Sequence, residues 1–445
     1  MADEEFDDLN EMLRKFLAGG SDFDMAAFAK AAGLPADPAA LSALLAQLRS
    51  AISNGSEGIS ETMARDNATA VSGRGASSIT DAERSALTSA LNLAGLWVDE
   101  ATQIPPLSST PGLMTRPEWA RAALPAWIAF SEPVATSISR AAERAVNEQI
   151  GEVDEHDGDP TLKGALPAMR RMTGTLFSMQ LGQIVGQLSH DVVSGGDIGL
   201  PLVGGAADHD VRAVLIPQNV VAFATDLTVP AADVALYLAA REIAHARLFR
   251  HAKWLKSHIE AAITDYARGI HIDAERIAEA LASIDPTNPA EIQRVVSDGS
   301  LIPPRTEEQR HALGRIETML ALIEGWVDTV TADATRRLPS SSAIAEMVRR
   351  RRAAGGPGEK ALAGLVGLEL RPRRLREAAA LWRVITDAVG TEARDALWAH
   401  PDIVPTDADI DYPQGLLARL SANSGAVDDV EAELQAMLDN DGVEE

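Results

Sequence analysis

The stretch that decides the fold is TVPAADVALYLAAREIAHARLF, residues 228–249. It predicts a helix, with Pro230 near the first turn and Asp233 placed to favour the positive end of the helix dipole. On a helical wheel Val234, Tyr237, Leu238, Leu248 and Phe249 form an apolar stripe, and Arg241 and His245 fall in its middle. Glu242 lies at the edge of that stripe, one residue from Arg241 and three from His245, so carboxyl and imidazole can face one volume. Polar groups on a buried face are costly unless partnered, so chemistry is sought here first.

Immediately before this helix, β-branched and apolar residues cluster in GLPLVGG (199–205) and VRAVLIPQNVVAF (211–223), between Gly, Asp and Pro punctuation. They are the convincing strand material of the chain. Elsewhere an Ala/Leu-rich sequence with 3.6-residue periodicity predicts helices near 81–96, 117–150 and 161–194, and helical patterns resume up to about Leu338. The expected fold is mainly α with a small mixed β-sheet beside the helix that carries Glu242 and His245. In the third helix Gly174, Ser178, Gly182 and Gly186 recur every four residues, a spacing read as tight packing against a neighbouring backbone.

The organisation expected is an N-terminal amphipathic segment (Phe6, Leu9, Met12, Leu13 and Phe16 at helical spacing) and a flexible Ser/Gly-rich linker within residues 1–80. A helical domain follows over 81–420, comprising a helical part (81–195), a strand-plus-helix part (196–270), a further helix (311–338) and C-terminal helices (340–420). An acidic tail occupies 421–445.

Composition narrows the function classes. At 445 residues and 46% hydrophobic, the chain can bury a substantial core. Its formal charge of −25 repels phosphate backbones and anionic membrane surfaces, which argues against nucleic acid and membrane partners. With no Cys there can be no disulfide framework, thiolate metal site or Cys nucleophile, so any metal must be held by His, Asp or Glu. An acidic start, MADEEFDDLN, and the lack of a long apolar run lead to the expectation of a cytoplasmic protein.

The tract Arg241-Glu242-Ile243-Ala244-His245 is one residue away from H-E-x-x-H, the zincin motif. There, two His one turn apart grip zinc and the Glu acts on the metal-bound water. Here an Arg, always protonated and unable to coordinate a cation, stands in place of the first His. E-x-x-H alone is a weak signal, since nine His make about one chance occurrence, and Glu308 with His311 supplies another.

The stretches GQIVGQLSHDVVSGGDIGLPL (182–202), VLIPQNVVAFATDL (214–227) and REIAHARLFRHAKWLKSHI (241–259) resemble an actinobacterial family of zincin-like hydrolases, often labelled zinc-dependent metalloproteases. The resemblance resumes at LALIEGWVDTV (320–330), LRPRRLREAAALWRVI (370–385) and DALWAHPDIVPT (395–406), covering roughly residues 110–415. It implies a zincin-like metalloprotease core with additional helices. Carried over residue by residue, it implies Glu242 as general base, His245 and Glu324 as metal ligands, and Asp328 as a residue orienting a ligand. Zinc is the cofactor if the site is active. The competing expectation is a metal-free scaffold for a protein or peptide partner, in which the Arg241 guanidinium pairs with Glu324 in the metal's place.

A catalytic zinc has three protein ligands, and His251 and His258 are the remaining nitrogens that could complete the set. His251 sits about 120° around the helix from His245, so it could join only if the helix breaks. The stretch 211–223 resembles the zincin edge strand, which can pair with an extended peptide through its main chain.

Three further features carry rival readings. The two E-x-x-H elements, with Glu317 and Glu324, suggest a di-iron bundle, against which Glu308 reads better as a helix start. Residues 349–376 are strongly basic, Arg349 to Arg352 above all, and are expected to pair with acids of the chain or face solvent rather than bind an external anion. The acidic stretch GEVDEHDGDP lacks the ligand spacing of a calcium loop.

Overall fold

The computed structural model describes residues 58–151, 160–204, 211–225, 227–270, 305–353, 356–366 and 374–422. The expected N-terminal segment, the acidic loop around 151–160 and the acidic tail lie almost wholly outside them. The chain divides into two compact units. The smaller has, as its described parts, residues 58–60 and residues 138–151 and 160–177 of two long helices. The larger contains residues 61–137, 178–270 and 305 onward, and holds everything discussed below.

In chain order the elements are α1 (Glu61–Ser72), α2 (Asp81–Asp99), β1 (Gly112–Leu113), α3 (Arg116–Gly151) and α4 (Pro160–Asp191). Then come β2 (Val214–Leu215), α5 (Pro217–Thr225), α6 (Ala231–His251), α7 (Trp254–Arg268) and α8 (Glu307–Ala334). The series ends with α9 (Ser341–Ala353), α10 (Pro357–Val366), α11 (Leu375–Ala396) and α12 (Asp407–Asp411). The fold is mainly α with a very small sheet, as expected.

Two expectations need correction. Residues 61–72, inside the stretch read as a flexible linker, form α1. Their composition is polar, but Ala64, Ala68 and Val71 fall on one face and are buried. They lie on the small residues of α4: a Cβ at Gly182 would come within 2.4 Å of the Ala64 carbonyl oxygen, and one at Gly186 within 2.6 Å of the Val71 Cβ. The glycine spacing thus serves backbone contact. The second correction concerns 211–223, where only Val214 and Leu215 are strand. Pro217 opens α5, where its fixed φ suits a first helical turn and its missing N–H costs nothing.

β2 runs parallel to β1, in the register Gly112 to Val214 and Leu113 to Leu215. On its other side Gly195 N–H donates to the Val214 carbonyl (3.0 Å) and Ile216 N–H to the Val193 carbonyl (2.9 Å). β2 is therefore flanked on both sides, and the peptide-pairing edge expected of this stretch is already filled by residues 193–195.

α6 is buried along Val234–Phe249, sixteen consecutive residues, rather than along one stripe. It packs against α2, α5, α8, α9 and β2. α8 is buried in the same way from Met319 to Thr331. Its Gly325 meets the backbone of α11 so closely that a Cβ there would lie 2.7 Å from the Ala378 carbonyl carbon. α8 and α11 also share a polar lock. The Asp395 carboxylate, 3% exposed, accepts from Arg394 Nε (2.7 Å) and Trp326 Nε1 (2.9 Å) on one oxygen. Its other oxygen accepts from the Thr102 hydroxyl (2.6 Å) and Gln103 N–H (2.8 Å). One carboxylate thus ties the segment after α2 to α8 and α11.

Truncating Asp395 orphans these donors and leaves the Arg394 guanidinium, 0% exposed, without its nearest counter-charge. Asp395→Ala is expected to cost about 3–5 kcal/mol in urea unfolding. Asp402→Ala, at a side chain 86% exposed, should stay within about 0.5 kcal/mol.

Candidate functional site

Because α6 is buried all round, each of its charged residues needs a partner inside the protein. Arg247 donates to the Asp99 carboxylate and to the Gly95 carbonyl (3.3 Å), tying α6 to α2. Arg241, Glu242 and His245, at 5%, 1% and 1% exposure, face the middle of α8 and the loop 193–200.

The centre of the arrangement is Glu324 of α8, 4% exposed. Arg241 donates to one carboxylate oxygen, Oε2. The other, Oε1, lies 3.0 Å from His245 Nε2 and 2.7 Å from Arg352 Nη1 of α9. Burial works to raise the Glu324 pKa, but Arg352, Arg241 and His245 outweigh it and hold the carboxyl far below its ordinary range. The sequence-predicted Arg241, His245 and Glu324 therefore meet. Arg352 joins them from a run that composition alone left as an intramolecular or solvated basic patch.

His245 is held at both ring nitrogens, with Nδ1 3.1 Å from the Arg241 carbonyl oxygen and Nε2 on Glu324. Both facing oxygens can only accept, so the doubly protonated ring satisfies both contacts. Burial opposes that form and pushes the pKa below its ordinary value, while the Glu324 carboxylate pulls it back up.

Glu242 points elsewhere. Its oxygens accept from Gly196 N–H (2.8 Å) and Val214 N–H (2.9 Å), so it clamps the 193–200 loop and β2 onto α6. Burial pushes its pKa up to about 7 against the pull of Val214 N–H, the Ser194 hydroxyl and Gly196 N–H. The loop lies on the site itself. A Cβ at Gly196 would come within 2.7 Å of His245 Cβ, and one at Gly199 within 2.7 Å of Glu324 Oε1. Gly199 has φ +76°, a conformation glycine adopts without strain.

Asp328 accepts from Arg349 (2.9 Å) and Arg383 (3.4 Å), one helical turn beyond Glu324. Its ion-pair partners are therefore arginines, rather than the ligand it was expected to orient. His251 is exposed at the end of α6, and His258 packs edge-on to Trp254 with ring centroids 5.6 Å apart. Neither completes the site. Glu308 is exposed in the first turn of α8 after a Thr306/Gln309 capping box, as a helix start should be, and His311 is also exposed, away from any iron-like cluster.

A zinc ion does not fit this donor set. One imidazole nitrogen and one carboxylate converge, short of the three protein ligands of a catalytic zinc. Two guanidiniums, which cannot coordinate, occupy the same carboxylate. Among the described residues no group of three or more His, Asp and Glu could hold a metal ion.

Sequence reasoning missed Arg352, Gly196 and Gly199. The glycine density of SGGDIG before the strand was a readable signal of close backbone approach. Arg352 carried no such mark.

An acid whose pKa rises from 4.5 to about 7 on folding destabilises the native state as it ionises, beginning above 4.5 and complete above about 7. That is a cost of roughly 3 kcal/mol. Glu242→Gln cannot ionise but offers one acceptor to two N–H donors. Its unfolding free energy relative to wild type should therefore show its largest deficit near pH 5 and a smaller one near pH 8. A deficit independent of pH would show that Glu242 does not titrate in the folded protein.

Comparison with known proteins agrees with this architecture. Residues 59–417 match the model of a family described as zincin-like metallopeptidase. No curated protein matches the sequence. Among solved structures, the chain is similar to one from Chloroflexus aurantiacus described as a candidate hydrolase with a novel fold. The TM-score is 0.54 at 18% identity, covering 82% of this chain and 99% of that one, which supports the fold alone. With the family model spanning most of its length, the chain belongs to the zincin-like metallopeptidase family.

Proposed function

We propose that this chain is a catalytically silent, metal-free member of its peptidase-like hydrolase family, a scaffold that binds a ligand or partner instead of hydrolysing a peptide bond. The observation that carries this reading is the convergence of Arg241 and Arg352 on Glu324. A buried carboxylate needs a counter-charge, and two fixed guanidiniums supply what a cation would otherwise provide. The reading is further supported by Glu242. A general base needs an oxygen within reach of a water, whereas both of its oxygens accept from main-chain N–H groups at 1% exposure.

If zinc were bound by relatives of the family with an intact H-E-x-x-H, the matching positions here would be 241, 245 and 324. Position 241 is the one that departs. Restoring the donor set therefore takes Arg241→His, together with Arg352→Gln to release Oε1 of Glu324.

Elemental mass spectrometry of protein purified without a metal-affinity tag tests the proposal. Wild type should carry well under one zinc per chain, and the Arg241→His/Arg352→Gln variant should gain zinc that a further His245→Ala change removes. Near-stoichiometric zinc in wild type, lost in His245→Ala, would overturn the metal-free reading.

A further inference from the structure

Beside the Glu324 network lies a half-open cavity of about 50 Å³. Val193, Ile198, Phe223, Leu238 and Val348 form its apolar wall, and Arg351, Arg352 and Asp197 its polar one. Arg351, 26% exposed, stands at the mouth with its guanidinium 5.7 Å from the centre of the Phe223 ring. Arg352, 15% exposed, reaches past the cavity to Glu324.

Among the described residues Arg241, Arg351 and Arg352 share the carboxylates of Glu324 and Asp197, three cations to two anions, while Glu242 is turned to main-chain N–H groups. Arg351 donates to the Asp191 main-chain carbonyl, but its nearest carboxylate, Asp197, is a loose 3.6 Å away. Arg241 Nε is buried and finds no acceptor among the described residues. Buried cations are ordinarily compensated, and this set reaches the cavity wall through Arg351 and Arg352, which makes the cavity a candidate anion site.

Size and charge select the anion. A water-sized group takes about 10–15 Å³ of such space, so the cavity holds roughly four. A dianion would meet the Asp197 carboxylate on the same wall, whereas a monoanion matches the single excess charge. The apolar wall favours a short aliphatic chain behind the charged end.

We propose that this cavity binds a carboxylate carrying a small aliphatic group, with Arg351 as its principal donor. That chemistry belongs equally to a free short-chain acid and to the C-terminal residue of a peptide ending in a small aliphatic side chain. The inference rests on the metal-free reading only in that Arg241 and Arg352, rather than an ion, neutralise Glu324.

Methyl NMR of the full-length chain, labelled at Ile, Leu and Val and titrated with EDTA present, tests it. The probes are isobutyrate, isobutyramide, and acetyl-Gly-Val with either a free carboxylate or a C-terminal amide. The expected result is saturable shifts at the Ile198, Leu238 and Val348 methyls with a carboxylate, about ten-fold weaker or absent with its amide. Arg351→Gln, which leaves all three Glu324 partners in place, should weaken carboxylate binding by about ten-fold while the melting temperature stays near wild type. Tighter binding of the peptide acid than of isobutyrate would name a peptide C-terminus as the source, and the reverse a free acid. Equal binding of acid and amide, no saturable shift with either carboxylate, or full affinity in Arg351→Gln would overturn the proposal. Stoichiometric zinc in the untreated protein, with the carboxylate still bound in the EDTA titration, would overturn the metal-free reading alone.

Discussion

A carboxylate 4% exposed in the middle of a buried helix must be neutralised, and the protein around Glu324 is organised by how that is done. Two guanidiniums reach it from different elements, Arg241 from α6 and Arg352 from α9, and an imidazole from α6 joins them. Because Glu324 and its partners come from three helices, the same contacts that neutralise the charge also fix how α6, α8 and α9 meet. Removing one partner leaves the others as uncompensated buried charge, so the network stands or falls together.

The neighbouring carboxylate solves a different problem. Glu242 satisfies the main chain of the 193–200 loop and of β2, and so holds glycine backbone down on His245 and Glu324. This leaves little room over the network for a water or a substrate. The cost of burying Glu242 shows in its raised pKa, and the return is a loop packed closely enough that only glycine fits at 196 and 199. A single departure at position 241, read with the arginine run of α9, thus accounts for a buried carboxylate neutralised by guanidinium within the family fold.

Much of this was legible in the sequence. The α6 helix, its polar intrusions, the departure at Arg241 and its pairing with Glu324 all followed from periodicity, motif spacing and resemblance, because they depend on local pattern and residue type. The linker reading of residues 61–72 failed because α1 is held by three small buried side chains against glycines over a hundred residues away. The strand reading of 211–223 failed because apolar β-branched residues look the same in a short buried strand and a short buried helix. Arg352 was out of reach for a similar reason: within a run of four arginines, only tertiary packing decides which one turns inward.

The central claim, that Glu324 is neutralised by guanidinium rather than by a metal, is tested most directly by a double-mutant cycle on Arg241→Met and Glu324→Gln, with stability read from chelator-treated protein in urea. Arg241→Met leaves Glu324 with Arg352 and His245, Glu324→Gln leaves both guanidiniums without their carboxylate, and the double change leaves Arg352 alone, so the account predicts a coupling of about 2–3 kcal/mol between the two changes. Additive losses, with a coupling near zero, would contradict it.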